Sequence, residues 1–136
     1  MNKLPEDVII NNILPFTYKP QNPVLLEDVR GFYIDKQFLE NLYYTEFNDT
    51  ILLYDLVRFC NSGLTSNSIN PSFETILRRN PILSNKSTTF IVSYILSSFV
   101  TSVTHNVMTK IKILWGILTP RERTSFINRI LFNLER

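Results

Sequence analysis

The residues that could do chemistry in this sequence are one histidine, one cysteine and a scatter of carboxylates. A single histidine, His105, cannot supply the multi-histidine spacing of a metal site, and we expect it to be a core histidine. Cys60 has no second cysteine to pair with and lies among apolar residues, which favours a buried thiol over a nucleophile. The sequence therefore predicts no catalytic residue and no metal site.

Phosphate chemistry is disfavoured on the same grounds. The three glycines, at positions 31, 63 and 116, are too far apart to form a phosphate-binding loop. The carboxylates fall at predicted helix caps and first turns, where local helix chemistry already accounts for them. We expect a non-enzymatic protein that uses no cofactor.

Charge is divided unevenly along the chain. Residues 1–60 carry five Lys/Arg and nine Asp/Glu, whereas residues 61–136 carry nine and three. Arg121, Arg123 and Arg129 lie in the first part and middle of the last predicted helix, where the helix dipole does not favour cations. We expect these three arginines to face solvent and to bind an anion. Nucleic acid is one candidate anion, and the acidic half of the same chain is the other.

The element that must hold the rest together is the stretch from Ser87 to Thr109, which has no charged side chain. Its apolar residues cover several faces of a helical spiral, and this pattern predicts a central helix, extending to Leu118, that other helices enclose. A membrane span is the alternative, but Ser, Thr, His and Asn make up about half of the stretch and disfavour it. The pair His105-Asn106 predicts a bend or a break.

Composition and periodicity predict an all-α fold. With 136 residues, 44% of them hydrophobic, and few glycines for turns, we expect a compact single-domain bundle, residues 1–136, of about seven helices around the central one. Within it, N-terminal helices occupy 4–62, and the central and C-terminal helices occupy 71–136. No secretory signal is evident at the N-terminus, so we expect an intracellular protein.

Helix boundaries follow from caps and prolines. Helices are predicted to begin at Asn22-Pro23, at Asp35, at Asn48 or Asp49 and at Asn70-Pro71. The run from Thr119 to Glu122 is a capping box with proline at the first helical position, and it starts the last helix. Aromatic residues cluster in the N-terminal half; we expect them in the core, with a base-stacking platform as the alternative.

The first predicted helix carries a resemblance. Leu4-Pro5-Glu6-Asp7-Val8-Ile9-Ile10-Asn11-Asn12-Ile13-Leu14 resembles the opening of an F-box, and with the following segments it is similar to short F-box-like proteins of large nucleocytoplasmic DNA viruses. The resemblance implies docking onto a Skp-type adaptor of a ubiquitin ligase, in the host cytoplasm or nucleus. The contact positions that it implies are Leu4, Pro5, Ile9, Ile13 and Leu14. A buried first helix of an ordinary all-α domain is the alternative.

Three functions follow as hypotheses. The leading one is a protein–protein interaction module, in the form of a viral F-box-like adaptor. The second is a nucleic-acid-binding accessory protein that uses the basic C-terminal half. The third is a virion structural or assembly component that self-associates through its helices.

Overall fold

The structure is a computed structural model that describes residues 22–64, 68–102 and 104–136. These ranges contain six α-helices and one π-helical segment, and no strand. The helices are α1 (Pro23–Glu46), α2 (Asp49–Cys60), α3 (Pro71–Leu77), α4 (Thr88–Ile95), α5 (Val107–Ile117) and α6 (Pro120–Leu134), with the π-helical segment Leu96–Thr101 following α4. The all-α class is therefore confirmed.

The chain divides into two units at Arg30-Gly31, and of the first unit the structure describes only residues 22–30. The predicted helix over 4–14 lies outside the described residues, so the count of seven helices stays a prediction. The single domain over 1–136 also stays a prediction.

Helix α1 corrects two sequence predictions. Two helices were expected, one beginning at Asn22-Pro23 and the next at Asp35, but Pro23–Glu46 is one helix of 24 residues. A glycine inside a helix costs only about 1 kcal/mol relative to alanine. That cost is offset here by the burial of Leu39 and Tyr43 and by the Lys36–Glu40 ion pair one turn apart. Asp35 therefore lies within the helix and is not its cap.

Several apolar side chains in the first part of α1 are exposed, namely Val24, Leu25, Leu26, Val29 and Tyr33.

The predicted starts of α2 and α3 are confirmed by their caps. The Asn48 side chain accepts a hydrogen bond from the Ile51 N–H at 3.0 Å, and the Asn70 side chain accepts one from the Ser72 N–H at 2.9 Å. After α2 the chain turns through Gly63, whose φ of +82° lies in the left-handed region that glycine tolerates. The two asparagines thus set the beginning of each helix.

The stretch predicted as a central helix is divided in the structure. Helix α4 and the π-helical segment end at Thr101, and α5 begins at Val107 after Asn106, whose φ is +52°. The buried ammonium of Lys110 donates a hydrogen bond to the Ser102 carbonyl across this break. The break at His105-Asn106 is confirmed, but enclosure on all sides is wrong, because Phe90 and Leu96 are exposed.

Within the described residues, no helix combines the length and the apolar character needed to cross a membrane.

The core of residues 31–136 is centred on α2 and α5, which pack against each other more extensively than any other pair of elements. Helix α3 contacts α2, α4 and α5. The largest fully buried side chains come from every helix, and they are Leu39, Tyr43, Leu52, Leu53, Leu56, Phe73, Leu77, Ile91, Ile95, Phe99, Trp115 and Phe126.

An ion pair at the start of α6 joins distant parts of the chain. The capping box is present as predicted, because Glu122 accepts from the Thr119 N–H and donates its own N–H to the Thr119 hydroxyl. The Arg79 guanidinium binds both carboxylate oxygens of Glu122, at 2.6 and 2.8 Å, and donates to the Ile117 carbonyl. Hydrogen bonding to Arg79 lowers the pKa of Glu122 from its ordinary 4.5 to about 2.

Substitution of Glu122 by Gln tests the Arg79–Glu122 ion pair, since Gln keeps the capping oxygen but removes the charge. Because the folded pKa lies below the ordinary value, the carboxylate stabilises the fold above about pH 4.5, and this contribution is lost as the pH falls towards 2. Allowing for partial solvent screening, we expect Glu122→Gln to lower the free energy of unfolding by about 1–2 kcal/mol near pH 7, with a difference that vanishes near pH 2.

Urea denaturation across this pH range measures the effect, and Glu135→Gln, at the end of the same helix, is the control of equal charge change. If Glu122→Gln lowers the free energy of unfolding by the same amount at every pH, the ion pair is not the cause of the loss.

Candidate functional site

The F-box-like contact positions Leu4, Pro5, Ile9, Ile13 and Leu14 lie outside the described residues. Their role as a docking helix stays a prediction, as does the alternative of a buried first helix.

The three arginines predicted to bind an anion occupy different environments. Arg121 and Arg129 are exposed, whereas Arg123 is buried, and the prediction that Arg123 faces solvent is wrong. Its Nε donates to the Trp115 carbonyl at 3.2 Å, and its guanidinium lies 5.4 Å from the centre of the Phe32 ring. Desolvation of a guanidinium costs less free energy than desolvation of an ammonium, and aromatic faces attract its charge. This position is therefore favourable for an arginine. Anion binding at the other two stays a prediction.

The two residues with the strongest intrinsic reactivity are Cys60 and His105. Cys60 is fully buried, as expected, and burial raises the pKa of its thiol to about 12, so the reactive thiolate is scarce near neutral pH. His105 is exposed in the turn before α5, which corrects the expectation of a core histidine, because the break leaves this residue outside any helix. Within the described residues, no group of three His, Cys, Asp or Glu side chains is placed to hold a metal ion.

The aromatic cluster of the N-terminal half divides between core and surface. Tyr43 is buried, and its hydroxyl donates to the Asp55 carboxylate at 2.6 Å; burial first, and then this carboxylate, raises the pKa of Tyr43 far above its ordinary value. The other large aromatic side chains are mostly exposed, which corrects the expectation that the cluster is core. These exposed residues are Tyr33, Phe38, Tyr44, Phe47 and Tyr54.

Four large side chains form one surface on α1, which we call the outer face: Tyr33, Ile34, Phe38 and Tyr44. Their exposed fractions are 67, 65, 42 and 87%, respectively. At 3.6 residues per turn they span an arc of about 140°, opposite the buried Leu39 and Tyr43. Helix α1 therefore carries large apolar side chains on two opposite sides.

A pocket of about 270 Å³ lies between α2 and α6. Its lining residues recur three and four positions apart, so each helix contributes one face: Asp55, Arg58 and Phe59 from α2, and Phe126, Arg129, Ile130 and Asn133 from α6. Sequence reasoning selected only Arg129 from this set. The matching helical spacing of Arg58-Phe59 and of Arg129-Ile130 is a signal that could have identified the rest.

Comparison of the chain with protein-family models, with curated proteins and with solved structures finds no match.

The contrast between Arg123 and Arg121 can be tested by truncating each to alanine. Arg123→Ala removes a buried hydrogen bond and the contacts with two rings, so we expect the free energy of unfolding to fall by about 2–3 kcal/mol. Arg121→Ala removes the same charge from an exposed site and should change stability by less than about 0.5 kcal/mol. Guanidinium denaturation of both variants measures this, and equal losses would contradict a structural role for Arg123.

Proposed function

We propose that this chain is a non-enzymatic protein–protein interaction module and that the outer face of α1 is its contact surface. The observation that supports the proposal is the exposure of four large apolar side chains on one side of a helix whose other side is already buried. Single exposed apolar residues are common on protein surfaces, but several on one helix face are typical of a binding site.

The chemistry of the outer face suits a protein partner. Tyrosine is enriched in protein interfaces, because its ring supplies contact area and its hydroxyl can find a hydrogen-bond partner. Between the four apolar residues the same arc carries Gln37 and Asn41, which are uncharged. Between residues 33 and 44 this arc carries no charged side chain, which suits the desolvated centre of an interface, from which charged residues are depleted.

An F-box-like adaptor is the specific form of this function that the N-terminal resemblance favours. Its contact positions and the outer face of α1 are separate segments of the sequence, so each can be tested alone. The nucleic-acid-binding accessory protein stays the second hypothesis and would use Arg121 and Arg129, which are exposed. The virion assembly component stays the third, and it would require self-association.

The double substitution Ile34→Ser/Tyr44→Ser tests the outer face. Both side chains are exposed, and serine has about the same helix propensity as isoleucine and tyrosine, so we expect the circular-dichroism spectrum and the melting temperature to be retained. Capture of the partner protein on the immobilised chain should fall by about tenfold or more, since aromatic anchors dominate interface energies.

Phe132→Ser is the matched control, because it removes an aromatic ring that is 57% exposed on α6. It should leave capture unchanged. Retention of the same bound protein by the double variant would contradict the proposal, and sedimentation of the isolated chain would show whether that bound protein is a second copy.

A further inference from the structure

The pocket between α2 and α6 is a polar site that is separate from the outer face of α1. Arg58, on α2, and Arg129, on α6, are both exposed and line it, and Asn133 adds an amide that can donate a hydrogen bond. Phe126 and Ile130 also line the pocket but are buried, so polar groups form most of the surface that a ligand would meet. A ligand in this pocket would therefore be held by charge and hydrogen bonds rather than by apolar contact.

The two arginines converge near Gly63. Arg58 Nε donates to the Gly63 carbonyl at 3.2 Å, and Arg129 Nη2 lies 3.5 Å from the place that a Cβ on Gly63 would occupy. Since only the atoms of one residue separate these two points, the guanidinium groups lie within about 10 Å of each other. Like charges at this distance repel each other, and an anion that contacts both of them relieves the repulsion.

Neither arginine has an acidic partner in the part of the chain that the structure describes. The ion pairs found there join other residues, and Asp55, which lines the pocket, accepts a hydrogen bond from the Tyr43 hydroxyl at 2.6 Å. Arg58 uses only its Nε in a hydrogen bond, and Arg129 uses no group in one within the same residues. The Nη groups of Arg58 and the guanidinium of Arg129 are therefore available to a ligand.

We propose that this pocket binds a phosphate group, with Arg58 and Arg129 each donating to its oxygens and Asn133 adding a hydrogen bond. Arginine binds phosphate through pairs of parallel N–H bonds, and a tetrahedral group presents oxygens to two guanidinium groups that come from different helices. A planar carboxylate has only two oxygens, and one arginine can occupy both. The pocket of about 270 Å³ lies at the lower end of the size of ligand pockets, which suits a phosphate group that is free or attached to a small polar molecule.

Titration with inorganic phosphate at constant ionic strength, followed by two-dimensional NMR of the ¹⁵N-labelled chain, tests the proposal. Phosphate should saturate with a Kd of about 1 mM or tighter and shift the amide signals of Arg58, Gly63 and Arg129. Acetate, which is planar, should bind about tenfold more weakly. Glycerol 3-phosphate distinguishes the two sources of the group, and either result supports the site: tighter binding than inorganic phosphate identifies an ester as the ligand, and binding that is no tighter identifies free phosphate.

Variants that change one charge show whether phosphate binds at this pocket. Arg129→Gln should weaken phosphate binding by about tenfold, because it removes one charged partner of the anion. Asp55→Asn keeps an oxygen for the Tyr43 hydroxyl and should strengthen binding by about threefold, since it removes a charge that repels the anion. Arg121→Gln and Asp49→Asn are the matched controls, since each makes the same charge change at an exposed residue outside the pocket. Each control should leave the Kd unchanged to within about twofold.

Arg58→Gln should also weaken phosphate binding by about tenfold, and the amide spectrum of every variant shows whether its fold is intact. Unshifted signals with phosphate, or equal binding of acetate and phosphate, would overturn the proposal. Equal losses in Arg129→Gln and Arg121→Gln would also overturn it, because they would show attraction to the net charge of the chain and not to this pocket.

Discussion

The indole of Trp115 is the contact on which the arrangement of α1 depends. Its Nε1–H donates to the Phe32 carbonyl at 3.2 Å, and its own backbone carbonyl accepts from the Arg123 guanidinium, which also lies over the Phe32 ring. Helices α1, α5 and α6 therefore meet where the buried Trp115 and Arg123 contact the partly buried Phe32. Because a buried donor without a partner costs about 1–3 kcal/mol, these bonds strongly disfavour other rotations of α1. The inner side of α1 is thus fixed, and the outer face is left to solvent.

The position of α6 follows from two further constraints. Arg79 binds Glu122 at the start of the helix, and the rings of Phe59 and Phe126 meet between α2 and α6. With both contacts in place, the side chains that follow Phe126 at helical spacing must face α2. The pocket that contains Arg58 and Arg129 is therefore a consequence of core packing, and both arginines are exposed.

Local signals in the sequence predicted local structure well. The caps at Asn48 and Asn70, the capping box at Thr119 and the break at His105-Asn106 all depend on a few neighbouring residues, and the structure confirms each of them. The predictions that failed depend on tertiary contacts. Aspartate often caps the start of a helix, as was predicted for Asp35, and the burial of Leu39 and Tyr43 on one side favours the continuation of α1 through this position.

The environments of the functional side chains were less predictable from the sequence, because they also depend on tertiary contacts. Arg121 and Arg123 are two residues apart and look alike in the sequence, yet helical geometry points one to solvent and the other between two aromatic rings. The exposure of Tyr33 and Tyr44 could likewise not be predicted from the sequence. Helix α1 has apolar residues on both sides, so its periodicity does not identify which side faces the core. Which side is inner is determined by Trp115, more than 80 residues away in the sequence.

The most direct test of this account is photo-crosslinking from the outer face of α1. The photoreactive residue p-benzoylphenylalanine is placed at Tyr44 in one form of the protein and at Phe132 in another, and both are irradiated in cells that produce them. Both positions are exposed and aromatic, so the substitution perturbs the fold little at either. The account predicts a discrete covalent adduct with another polypeptide from position 44 and none from position 132. Equal yields at the two positions, or no adduct at position 44, would contradict the assignment of the outer face as the contact surface.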